Sequence, residues 1–112
     1  MHNGIYQDSA GRLWCGDNQG DWKATTPLYL IKKGNFYGHP SSLVWDKDWP
    51  KDKDPLLTYR NDLDAYNKHR TLPAVQIPHG EINRSASDPI EIPATFSKAF
   101  AGQLLLADNN ST

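Results

Sequence analysis

The chain has 112 residues, 38% of them hydrophobic, which is enough for one modest domain and leaves little room for a second. Twelve Lys and Arg against thirteen Asp and Glu give a net charge of −1, so there is no basic footprint for nucleic acid or for an anionic membrane surface. A single cysteine excludes an internal disulfide and a cysteine zinc cluster, and no apolar run approaches the ~20 residues of a membrane span.

The first elements read as a hairpin. Ile5-Tyr6-Gln7 is strand-like, Asp8-Ser9-Ala10-Gly11 is a turn cluster, and Arg12-Leu13-Trp14-Cys15 is a second strand. Cys15 reads as a small buried hydrophobe rather than a nucleophile, because no helix start or base adjoins it. Met1-His2-Asn3-Gly4 enters this hairpin with neither a basic region nor an apolar stretch, so no signal peptide is read. A complete chain of this kind is expected in the cytoplasm.

The next stretch, residues 16–40, organises the rest. Asp17, Asn18, Gln19, Gly20 and Asp21 form a polar, glycine-broken loop, with oxygens and amides suited to a polar cofactor or a hard cation. An ordinary connection between two strands has the same composition. Leu28-Tyr29-Leu30-Ile31 is a third strand, Lys32-Lys33-Gly34-Asn35 a turn, and Phe36-Tyr37-Gly38-His39-Pro40 a glycine–aromatic cluster. His39 is either a ligand or base, or a packed, hydrogen-bonded residue.

Residues 45–70 break the pattern. They are dense in Asp, Lys and Pro and lack alternation, which predicts an exposed and poorly ordered surface insertion with one short helix within residues 60–68. Trp45 and Trp49 either anchor it or stack on a sugar ring. Beyond it, Ala74-Val75-Gln76-Ile77 lies between prolines and reads as an edge strand. His79 and Glu81 are two apart, an acid–base pair or a polar strand end, and residues 83–89 read as loop.

The last segment repeats the first. Gly11-Arg12-Leu13 through Asp17-Asn18 and Gly102-Gln103-Leu104 through Asp108-Asn109 both read G-x-L-x-x-x-D-N. Short strands, glycine and proline punctuation and a repeat that begins again near residue 102 predict an all-β fold of antiparallel sheets. Expected strands are residues 4–7, 12–16, 28–32, 74–77 and 103–107. A β-propeller is preferred to a sandwich or barrel, with under two blades present, and so a piece of a longer protein.

The segments D-N-Q-G-D-W, L-Y-L-I-K-K-G-N-F-Y-G-H-P, L-P-A-V-Q-I-P-H-G-E and F-A-G-Q-L-L-L-A-D-N-N together resemble the glucose/sorbosone dehydrogenase family, six-bladed propellers that include soluble pyrroloquinoline-quinone (PQQ) sugar dehydrogenases. The nearest likeness is to the large, often secreted dehydrogenase-like proteins of planctomycete-type bacteria. The resemblance spans nearly all of the chain except residues 45–70. It implies that Gln19 and Gly20 touch the quinone and that the main-chain carbonyls of Gly20 and Asp21 hold calcium. It places His39 and His79 near the pocket mouth at most, and implies a sugar substrate, the remaining blades as partners, and a periplasmic or secreted parent. Asp21 stands where the family has proline, Ala74 where it has a quinone-contacting threonine, and Asn109-Asn110 where it has a lysine. The family's catalytic base, a histidine of an earlier blade, has no counterpart, so no catalytic residue is assigned and the isolated chain is expected to be inactive. The rival reading is a non-catalytic propeller module that binds carbohydrate or a protein partner.

Overall fold

The computed structural model describes residues 2–18, 25–78 and 86–108. The chain divides into two compact units, one of Met1–Lys32 with Pro73–Thr112 and one of Lys33–Leu72.

The first unit is built of antiparallel β-sheets, as the alternating apolar pattern of its segments predicts. Strands β1 (His2–Gln7), β2 (Leu13–Asp17), β3 (Thr25–Ile31) and β4 (Val75–Pro78) form a four-stranded sheet in chain order. Strands β5 (Ala86–Glu91) and β6 (Leu104–Asp108) form a two-stranded sheet. In the first sheet Ile5, Cys15 and Tyr29 lie side by side, and so do Tyr6, Trp14 and Leu30, on the opposite face. Cys15 is buried, with Tyr29 and Leu28, as a small apolar residue of the core. Pro27 is tolerated in β3 because the β2 pairing ends at Gly16–Leu28, just short of it.

The second sheet repeats the first hairpin in register as well as in sequence. Gln7 pairs with Leu13, Tyr6 with Trp14 and Ile5 with Cys15; in the other sheet Glu91 pairs with Leu104, Ile90 with Leu105 and Pro89 with Leu106. Each hairpin then has one extra residue on its first strand, before the pairs His2–Asp17 and Ala86–Asp108. The turns close alike. The Asp8 N–H donates to the Arg12 carbonyl and the Gly11 N–H to the Asp8 carbonyl, and the Ile92 and Gly102 N–H groups donate to Gln103 and Ile92 in the same way. Gly11 and Gly102 hold φ of +80° and +81°, a left-handed conformation that glycine adopts without steric cost. The hairpins differ in what lies between these fixed points: Ser9 and Ala10 in one, residues 93–101 in the other.

Residues 86–91 are therefore strand, where the Ser-Asp-Pro composition of residues 83–89 predicts loop. Pro89 is compatible with pairing because β5 has β6 as its only strand partner among the described residues.

The second unit is helical. A 3-10 helix (Pro40–Trp45) is followed by α1 (Pro55–Asn61) and α2 (Leu63–His69). Asp54 caps α1, its carboxylate accepting from the Leu56 and Leu57 N–H groups, with Pro55 in the first turn. Asp62 caps α2 through the Ala65 N–H. Most of residues 45–70 are exposed, as their composition predicts, but Trp49, Pro55 and Tyr66 are buried, as is Leu43 just before them, so the segment is held by a few buried side chains. The Trp49 indole N–H donates to the Lys53 carbonyl at 3.0 Å and its ring meets His69 edge-on at 4.8 Å. Trp49 is thus an anchor. Trp45 is not; it is 81% exposed.

Candidate functional site

The polar loop begins and ends on buried strand residues. Asp17, the last residue of β2, and Thr26, the second of β3, are both buried. Asp17 is therefore part of a strand, where the sequence pattern places it in the loop. Gln19, Gly20 and Asp21, which the resemblance implies for quinone and calcium, lie outside the described residues, as do His79, Glu81 and Asn109-Asn110. Ala74 is an exposed bend residue whose N–H donates to the Leu28 carbonyl at 2.9 Å, so its main chain extends the β3–β4 pairing.

His39 has a local structural task. It caps the 3-10 helix: its Nδ1 accepts from the Ser41 N–H at 3.2 Å and lies 2.7 Å from Ser41 Oγ, while its carbonyl accepts from Ser42 Oγ. The ring is exposed. The geometry gives this histidine a reason to be present that needs no ligand.

The hairpin turn of the first unit contains a carboxylate knot that the turn composition alone does not reveal. Asp8 is buried, and its Oδ1 accepts from the Ala10 and Arg12 N–H groups at 3.0 and 2.8 Å. Its Oδ2 accepts from Arg12 Nε at 2.6 Å and from the Trp14 indole at 2.9 Å. The Trp14 hydrogen bond, then those of Arg12 and its charge, hold the Asp8 carboxyl at about 2 against the upward push of burial. With its oxygens engaged by four donors inside the protein, Asp8 is a structural anion rather than an acid or base. Glu91 adds a clamp between the two hairpins: its oxygens accept from the Ser9 N–H at 2.6 Å and from Ser9 Oγ at 2.7 Å.

The second unit has a cleft of about 840 Å³, with Phe36, Trp45, Asp46, Lys68, His69 and Arg70 among the residues on its walls. Lys51 Nζ donates to the Val44 and Asp46 carbonyls and so fixes the end of the 3-10 helix that presents Trp45. Arg70 Nε donates to Asn67 at 2.8 Å, and its guanidinium lies 5.2 Å from the centre of the Tyr66 ring. An aromatic plate beside carboxylates and a guanidinium provides stacking and hydrogen bonding. Among the described residues no group of three His, Cys, Asp or Glu is placed to hold a metal ion.

No family model, curated protein or solved structure matches the chain. The structure adds two features to the residue pattern. The Ser9–Glu91 clamp and the repeated hairpin are its main additions to what the residue pattern indicates. Ser9 and Glu91 are 82 positions apart, and only the G-x-L-x-x-x-D-N repeat hints that their hairpins are related.

Proposed function

We propose that the chain forms successive sheets of a β-propeller of the glucose/sorbosone dehydrogenase kind, and that its part in sugar oxidation is to wall the cofactor site. The observation that carries this reading is the repeated hairpin. A four-stranded antiparallel sheet in chain order is followed by a hairpin with the same register, the same extra residue and the same turn glycine, and β5 packs against β1 and β2. Radial repetition of four-stranded sheets is how propellers are built.

In this reading residues 19–21, which lie outside the described residues, are the ones the resemblance assigns to the cofactor. The main-chain carbonyls of Gly20 and Asp21 are oxygen donors of the type calcium prefers, and the Gln19 amide would serve the quinone. When bound, PQQ with calcium supplies the hydride acceptor. Other blades supply the base and most of the roughly 6–8 oxygen ligands that calcium takes. The isolated chain therefore does not turn over aldoses.

The test is titration of the chain joined to the remaining blades with PQQ, with and without calcium, followed by tryptophan fluorescence. Expected is calcium-dependent quenching that weakens in Gln19→Ala. Quenching that is independent of both calcium and Gln19 removes the cofactor-wall reading. One observation favours a second reading, a module that binds carbohydrate without transforming it: Trp45 stands exposed on the wall of the second unit's cleft. Loss of oligosaccharide binding in Trp45→Ala supports that alternative.

A further inference from the structure

The two hairpins of the first unit share register, extra residue and turn, but their second strands do not share surroundings. β2 pairs with β1 along one edge and with β3 along the other. Among the described residues β6, its counterpart, pairs with β5 alone. The hydrogen bonds of the second turn show which groups this leaves. The Ile92 N–H donates to the Gln103 carbonyl, so the main chain of Gln103 faces β5. Alternation along an antiparallel ladder then turns Leu105 toward β5 and directs the N–H and C=O groups of Leu104 and Leu106 to the other edge. Pro89 agrees with this, since it has no N–H to donate and stands opposite Leu106. The same counting in the first hairpin, from the Asp8 N–H bond to Arg12, directs Leu13 and Cys15 away from β1. There β3 meets them, with Ile31 opposite Leu13 and Tyr29 opposite Cys15.

Leu104 and Leu106 thus hold the positions of Leu13 and Cys15, and the strand that covers those positions is visible once in the chain. β6 has none of the features that keep a strand edge from pairing. Residues 104–107 carry no charge and no proline, and the extra residue of the hairpin lies on β5. Leu105 is 55% exposed. A two-stranded sheet is marginal in water, and a third strand is what gives it stability. We infer that the outer edge of β6 binds one more antiparallel strand, an extended apolar segment of β3's chemistry supplied by the remaining blades, in the register that β3 takes on β2. An aliphatic residue of that strand lies opposite Leu104 and an aromatic one opposite Leu106, as Ile31 and Tyr29 lie in the first sheet. The source of the strand rests on the propeller reading. The edge itself rests on the repeat, and neither involves quinone or calcium.

The probe is a synthetic peptide of residues 25–33, in which Lys32 and Lys33 keep the apolar run soluble. It is titrated into the 112-residue chain, and amide hydrogen exchange is followed residue by residue by NMR. Expected is saturable slowing of exchange at Leu104 and Leu106, about tenfold at each, the effect of one net hydrogen bond. A peptide N-methylated at the positions of Tyr29 and Ile31 lacks the donors that face the edge and is expected to be inert. One methylated at Leu28 and Leu30, on the side that β4 takes in the first sheet, is expected to act as the parent peptide does. In the chain joined to the remaining blades, both amides are expected to exchange slowly without peptide. The inference is overturned if the peptide leaves Leu104 and Leu106 exchanging as before, if it protects β4 in their place, or if the two methylated peptides behave alike. Protection of both amides on raising the concentration of the chain alone overturns it too, since a second copy then covers the edge. So does fast exchange of both in the joined chain. None of these readouts uses PQQ, so the cofactor reading stands or falls separately.

Discussion

Two tryptophans four residues apart, Trp45 and Trp49, should respond oppositely to truncation. Trp49 is 3% exposed and packs on His69, whereas Trp45 is 81% exposed. Burying a tryptophan removes ~200 Å² from water, worth ~5 kcal/mol at ~25 cal/mol per Å². Residual compactness of the unfolded chain lowers this to ~3–4 kcal/mol, within the ~3–5 kcal/mol typical of Trp→Ala in a core. The Lys53 carbonyl, bonded to the Trp49 indole, also loses its partner. Trp49→Ala should therefore cost ~3–4 kcal/mol, most of what a unit of this size can hold, and Trp45→Ala no more than ~0.5 kcal/mol. Amide hydrogen exchange in α1 and α2 is the assay, because it reports on opening of the second unit even when the first stays folded. Exchange in those helices should approach the unprotected rate in Trp49→Ala and stay at wild-type protection in Trp45→Ala. Equal loss of protection in both variants, or none in either, would refute the assignment of Trp49 as the anchor.

Three further outcomes follow from the described geometry. Gly11→Ala and Gly102→Ala should each destabilise by ~1–2 kcal/mol, since both turns impose a left-handed φ; chemical denaturation that separates the two costs widely would contradict the equivalence of the hairpins. Gly4→Ala should destabilise because the Asp88 carboxylate fills the space its methyl needs and its φ is +144°, and Asp88→Ala in the same chain should restore part of the loss and leave the backbone share; full recovery on thermal melting would show that the backbone share is absent. The Asp8 carboxyl is depressed to about 2 from 3.8, so its contribution to stability is fully present above about pH 4 and disappears as pH falls through about 2; acid unfolding curves of wild type and Asp8→Asn should converge across that window, and curves that stay parallel would remove Asp8 as the cause.

Much of the first unit is legible in the residues, because its strands announce themselves locally. Leu28-Tyr29-Leu30-Ile31 and Leu13-Trp14-Cys15 are apolar runs between turn clusters, and they became β3 and β2 with edges shifted by one to three residues. β5 was hidden because Ser87, Asp88 and Pro89 are individually turn formers, and what makes them strand is pairing with β6. The helices of residues 55–69 carried a readable signal that composition obscured. Asp54-Pro55 is an N-cap followed by proline in the first turn, and Asp62 is the N-cap of the next helix, with Asp64 in its first turn. Their small core was not legible, since Leu43, Trp49 and Tyr66 are far apart in sequence and share no period. Of the site residues, His39 shows how a histidine beside proline is ambiguous from sequence: its capping bonds to Ser41 depend on a 3-10 helix that the pattern does not signal.

The connection between β3 and β4 has a consequence for the order in which the chain can fold. Residues 32–74 separate two strands that are neighbours in one sheet, from Ile31 to Val75. Strands β1, β2 and β3 pair over short spans and can form as soon as they leave the ribosome. β4 must wait for the intervening residues, and closing so long an excursion costs ~3 kcal/mol more than closing a two-residue turn. Until then β3, a largely buried strand, presents an unsatisfied edge to any other extended segment. Early folding of the helical unit around Trp49 and Tyr66 would shorten the effective span and hasten that closure. The rate at which the sheet is completed, and the time during which its edge is open to mispairing, are thereby tied to a core of three side chains.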